Sequence, residues 1–166
     1  MSFQIGDQVV HPAYGIGRIV GIVTKRFVEA EASRYYEIGI QQSTVWVPVE
    51  GSTPSGLRPL TSKHELARYR GVLRSHPALL TPDSRQRRLD ILNRLKVGLF
   101  QTRCEVIRDL TAQGWHKALN EADSAALRKT REGVCQEWAA AEGVSVQQAT
   151  QEIDALLLEA RKAYRA

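Results

Sequence analysis

The residues best suited to chemistry in this sequence are cations. Between Arg85 and Arg108 the chain carries Arg85, Arg87, Arg88, Arg94, Lys96, Arg103 and Arg108 against only Asp90 and Glu105. Such a density of guanidinium and ammonium groups fits phosphate oxygens. At about 100° per residue, Ile91, Leu92 and Leu95 form a buried stripe, with Arg87 and Arg94 flanking one side and Arg85 and Lys96 the other. Cations that straddle a stripe suit sequence-independent phosphate contacts better than base readout. A solvated helix face would show the same pattern. A second group centres on Trp46 in Thr44-Val45-Trp46-Val47, where strand alternation sets Trp46 and Thr44 opposite the two valines. With the valines in the core, Trp46 is exposed near Lys25 and Arg26, a composition found at protein interfaces. With the valines outward, Trp46 packs inside instead.

Catalytic patterns are missing. His11, His64, His76 and His116 are scattered, with no HxH, HExxH or CxxC spacing that could converge on a metal. Gly15-Ile16-Gly17 lacks the third glycine and following helix of a dinucleotide fingerprint, so these glycines are expected in a strand turn that needs positive φ. Tyr14, Tyr35, Tyr36 and Trp46 could suggest an aromatic cage, but adjacent Tyr35 and Tyr36 must point to opposite faces of a strand. The expectation is a protein without enzymatic activity, metal or cofactor.

These residues need elements to hold them. The 166 residues are 43% hydrophobic and 25% charged, the balance of a globular protein. Their net charge of +5 favours polyanionic partners. The start, MSFQIGDQ, has no apolar leader, and no apolar run approaches the roughly 18 residues that span a bilayer. A cytoplasmic protein with no membrane contact is expected. Cys104 and Cys135 lie in helical patterns as small buried hydrophobes.

Near residue 60 the composition changes from β-branched, Gly and Tyr to Ala, Leu, Arg, Gln and Glu. The fold class predicted is α+β: a small Tudor-like or SH3-like β-barrel over residues 1–60, then a compact all-α domain over 61–166. Strands are expected at Gln8 to Val10, Gly17 to Val28, Arg34 to Gln41 and Thr44 to Val49. After a loop at Gly51 to Gly56, Leu57 to Leu60 closes the barrel. Ser62 and Glu65 form a capping box for a helix to about Arg74. Thr81 caps a second helix, with Pro82 at its first position and Gly98 at its end. A third starts near Phe100, with Gly114 as its weak point or end, and a fourth near Asp123, with Trp138 in its core stripe. Ser145 and Gln148 box the fifth.

The stretch Gly6 to Gly17, GDQVVHPAYGIG, resembles the CarD/CdnL family of bacterial transcription regulators, whose N-terminal module is shared with the transcription-repair coupling factor. Val47-Pro48-Val49, Gly56-Leu57-Arg58-Pro59-Leu60 and the EVIRDL segment Glu105 to Leu110 extend the similarity along nearly the whole chain. The resemblance implies a barrel that binds the RNA polymerase β subunit and a helical domain that meets double-stranded promoter DNA at the upstream edge of the bubble. It matches Lys25 and Trp46, with Arg26 beside them, to the polymerase contact. It matches Arg85 and Arg88 to the DNA contact, to which the density of charge adds Arg87, Arg94 and Lys96. Many members carry a tryptophan that wedges into the minor groove where this chain has Asp83, a carboxylate that phosphates would repel. Trp115 is the residue that could replace it, unless it packs between helices.

The expected function is thus regulation of open-complex stability by a monomeric, polymerase-bound protein. A module that competes for the β lobe without engaging DNA is the alternative, and a nucleic-acid-binding protein with no polymerase contact is a third.

Overall fold

The computed structural model describes residues 2–26, 32–49 and 56–165. It divides into two compact units, Met1–Leu60 and Thr61–Ala166.

The first unit is an antiparallel sheet of β1 (Gln8–His11), β2 (Gly15–Lys25), β3 (Ser33–Ile40), β4 (Ser43–Pro48) and β5 (Arg58–Pro59). The spatial order is β4-β3-β2-β1-β5. Three hairpins therefore build a meander, and β5 returns to β1 through Val9 and Val10. Val28, expected at the end of the second strand, and Gly51 to Ser55 of the expected loop fall outside the described residues. The inner face buries Val9, Ile19, Tyr36, Ile38, Ile40 and Val47, and the Tyr36 hydroxyl accepts a hydrogen bond from the Phe3 backbone at 3.0 Å.

The motif around His11 shows why these residues make a corner. His11 Nδ1 accepts from the backbone N–H groups of Ala13 at 3.0 Å and Tyr14 at 3.3 Å, and its ring lies 4.8 Å from that of Tyr14. Gly15 then takes φ +84, which a side chain would resist. Gly17 serves a different purpose from the positive φ expected. A Cβ there would lie 2.6 Å from Ile38 Cγ2 and 2.7 Å from Ile40 Cγ1, so its hydrogen lets β3 pack against β2.

The second unit contains α1 (Leu66–Arg74), α2 (Ser84–Lys96), α3 (Phe100–His116), α4 (Glu121–Glu142) and α5 (Val146–Tyr164). Helices α1, α3, α4 and α5 share one core in which Trp138 is fully buried. The Trp138 indole N–H donates to Glu152 Oε1 at 2.8 Å, and Arg70 Nε holds the same carboxylate at 2.8 Å. The Arg70 guanidinium keeps Glu152 below the usual carboxylate pKa. Helix α2 is attached through a smaller cluster, Ile91 against Val106 and Leu110 of α3.

The helix ends depart from expectation in three places. Ser62 and Glu65 do bond reciprocally, at 3.1 and 3.2 Å, but they close a separate turn, and the regular helix begins at Leu66. Helix α3 runs through Gly114 to His116, because its apolar residues on α1 and α4 outweigh a glycine cost of about 1 kcal/mol. The cap of α2 is Asp83, rather than Thr81. The Ser145 and Gln148 box of α5 is formed as expected.

Candidate functional site

Two surfaces gather the residues singled out by the sequence, one in each unit.

In the first unit Val47 is buried and Trp46 is 39% exposed, so the valines face the core and the indole faces outward. Trp46 pairs across the strands with Glu37, and Glu37 with Gly21, so a small residue leaves the indole's neighbourhood open. Lys25 Nζ stands 3.5 Å from the centroid of the Trp46 ring. This cation–π contact contributes on the order of 0.5–1 kcal/mol at an exposed site and fixes the ammonium over the ring face. Arg26 follows, exposed. Strand β4 ends the sheet order, so among the described residues its outer edge is unpaired and could take an added strand. Tyr36 is buried while Tyr35 lies on the opposite face, which removes the aromatic cage.

In the second unit the basic stretch divides. Asp83 takes an extended conformation before α2, and its side chain accepts from the backbone N–H groups of Arg85 at 3.0 Å and Gln86 at 3.2 Å. A carboxylate here satisfies two orphan donors and complements the helix dipole. Arg87 turns inward. Its Nε donates to Asp123 Oδ2 at 2.9 Å, and its Nη1 donates to the carbonyls of Thr81 at 2.9 Å and Pro82 at 3.3 Å. Arg87 thus leaves the proposed DNA face, because its guanidinium is buried and committed to Asp123 and to the carbonyls of Thr81 and Pro82. Arg94 sits at the border, with Nη2 3.5 Å from Asp109 Oδ2. Asp109 also accepts from Arg108 Nε at 2.8 Å and the Ala78 backbone at 3.0 Å, so two of the sequence's cations converge on this buried acid.

Burying Arg87 changes the phase of α2. Its inner side is Arg87, Ile91 and Leu95, and Leu92, expected in the buried stripe, is 52% exposed. The exposed residues are Arg85, Arg88, Leu89, Leu92 and Lys96 on one side and Gln86, Asp90 and Asn93 on the other. The remaining cations therefore share one face instead of straddling a stripe. Arg85, Arg88 and Lys96 have no carboxylate partner among the described residues. They span about 16 Å of helix at 1.5 Å per residue. Sequence periodicity missed this face by treating every arginine as an outward residue. The pairing acid, Asp123, lies 36 positions from Arg87, and no local signal links them.

Trp115 is half-buried near the end of α3. No group of three or more metal-ligating side chains converges among the described residues. No described helix is long and apolar enough to cross a membrane. What the two surfaces can do is bind: one offers an aromatic with a cation beside a strand edge, the other a run of unpaired cations.

Similarity to known proteins covers both units. The family described as "CarD-like/TRCF RID domain" matches residues 3–60, and the one described as "CarD, C-terminal domain" matches residues 70–154. A protein of Bacillus subtilis (strain 168) described as "Putative transcription factor YdeB" is 31% identical over 148 residues, which cover 88% of this chain and 96% of that protein.

Proposed function

This chain belongs to the CarD-like family of transcription regulators, and from that premise we propose that it binds the RNA polymerase β subunit through its first unit and steadies promoter open complexes through its second. The observation that carries the reading is the outward face of α2, where Arg85, Arg88 and Lys96 stand without carboxylate partners among the described residues. Phosphates near the upstream edge of the bubble neutralise these cations and release counterions. Such contacts position the protein without reading sequence. Trp46, with Lys25 held over its ring, contributes the aromatic anchor of the polymerase contact, Arg26 adds charge at its rim, and the open edge of β4 supplies backbone hydrogen bonds. Binding to the polymerase raises the effective concentration of a weak DNA contact, so three cations suffice where a free protein would need more.

One observation favours a second reading. Asp83, at the position where many relatives carry a wedging tryptophan, is occupied as the cap of α2. A protein that takes the β lobe and excludes other factors, with no DNA contact, needs no wedge.

The lifetime of promoter open complexes formed by cognate holoenzyme, with and without saturating protein, tests both. A longer lifetime that Arg85→Gln with Arg88→Gln abolishes supports the DNA reading. An unchanged lifetime with β-subunit binding intact supports the competitor.

A further inference from the structure

The outward face of α2 carries more than charge. Leu89 is 49% exposed and Leu92 52% exposed. Leu89 lies one turn beyond Arg85; Leu92 lies one turn beyond Arg88 and one turn before Lys96, so residues four apart place both leucines between the cations. Single exposed leucines are ordinary on a surface. Two adjacent ones flanked by Arg85, Arg88 and Lys96, which have no carboxylate partner among the described residues, form an apolar centre beside a row of cations.

We propose that Leu89 and Leu92 are the apolar contact of this protein with opened DNA, packing on the sugar edges and bases of an unstacked step while Arg85, Arg88 and Lys96 hold the flanking phosphates. The proposal rests on the DNA reading above and gives it a specificity that phosphates alone cannot supply: preference for distorted over regular duplex. An intact duplex buries its base faces, so the leucines gain little there. An unstacked step exposes those faces, and leucine is among the side chains that fill such gaps in other DNA-bending proteins. Charge selects the occupant, since Arg85, Arg88 and Lys96 flank the leucines, while the exposed carboxylate of α2, Asp90, lies on another flank of the helix and accepts from Gln86 Nε2 at 2.8 Å. Asp83, one turn before Arg87 on the helix's own cap, takes no part in this contact.

The test uses the full chain and two fluorescent DNA probes at low salt, a fully paired duplex and the same duplex with a short central stretch of mismatches, read by anisotropy. The wild type should prefer the mismatched probe by about fivefold or more. L89S with L92S should bring that preference close to unity while plain-duplex affinity changes by less than about twofold. L89K with L92K should tighten plain-duplex binding and still abolish the preference, and a thermal melt shows that both variants are folded. A wild type with no preference, or a leucine variant that keeps it, overturns the proposal while the charge-based reading stands if R85Q with R88Q weakens both probes. Loss of β-subunit binding by the leucine variants with the DNA preference intact also overturns it, and assigns the face to a protein contact. Titration runs to about 1 mM protein, where even a weak untethered contact is populated, and failure of the wild type to bind either probe at that concentration overturns both readings.

Discussion

The guanidinium of Arg87, on α2, meets the carboxylate of Asp123, in the first turn of α4, at 2.9 Å, and both side chains are nearly closed to solvent. This pair joins the start of α4 to the segment before α2, because Arg87 also holds the carbonyls of Thr81 and Pro82. It decides which residues of α2 look outward. A charge with its donors satisfied can be buried, whereas one deprived of its partner cannot.

Asp123→Ala should therefore lower the free energy of unfolding by about 3–5 kcal/mol, since it leaves a guanidinium buried without its carboxylate. Arg87→Leu together with Asp123→Leu should recover much of that stability, because neither charge then needs a partner. Urea unfolding of the three proteins checks this. A decrease below about 1 kcal/mol for Asp123→Ala would place the anchor of α2 elsewhere.

Arg85→Gln with Arg88→Gln should reduce the slope of log affinity against log salt by about two on duplex DNA, since each phosphate that a cation neutralises adds about 0.9 to that slope. Titrations at several salt concentrations measure it. Arg94→Gln should change the slope by less than either outward cation, because Asp109 already faces that guanidinium. An unchanged slope in the double variant would remove α2 from the DNA contact.

Trp46→Ala should weaken β-subunit binding by about 2 kcal/mol or more, the range of an interface anchor. The fold should be affected far less, because the indole faces away from the core. Surface-immobilised β subunit gives the first number and thermal melting the second. Lys25→Met tests the neighbouring cation, and a smaller effect than that of Trp46→Ala is expected.

His11 gives the first unit a dependence on pH. Burial lowers its pKa below the ordinary imidazole value. Its neutral Nδ1 also accepts from the Ala13 and Tyr14 backbone, a bond that protonation removes. A depressed pKa contributes stability that is present above the unfolded value of 6.5 and lost as pH falls through the folded value. Unfolding curves followed from neutral to mildly acid pH should show this decline. In His11→Asn, whose side-chain oxygen can accept the same bonds, the part of the decline due to this residue should vanish; an identical decline in wild type and variant would assign it to other groups.

The sequence by itself determined the class of fold. Alternation in Thr44-Val45-Trp46-Val47 sets Trp46 opposite the two valines, since a strand has a period of two whatever its neighbours are, and the packing of the sheet then made the valines the inward side. The box of Ser145 with Gln148 and the stripe of Ile153, Leu156 and Leu157 are equally local, because residues three and four apart meet on any helix. The GDQVVHPAYGIG corner carried the family. Tertiary structure alone decided the basic helix. Its thirteen residues offer two faces of similar polarity, so periodicity could not choose which to bury. That choice came from Asp123, brought beside Arg87 by the packing of α2 and α4 on α3. Burying a charge is favourable only when its partner is there, and that partner is set by the fold of the whole unit. The same rotation turned Leu92 outward beside Leu89 and gathered Arg85, Arg88 and Lys96 around them.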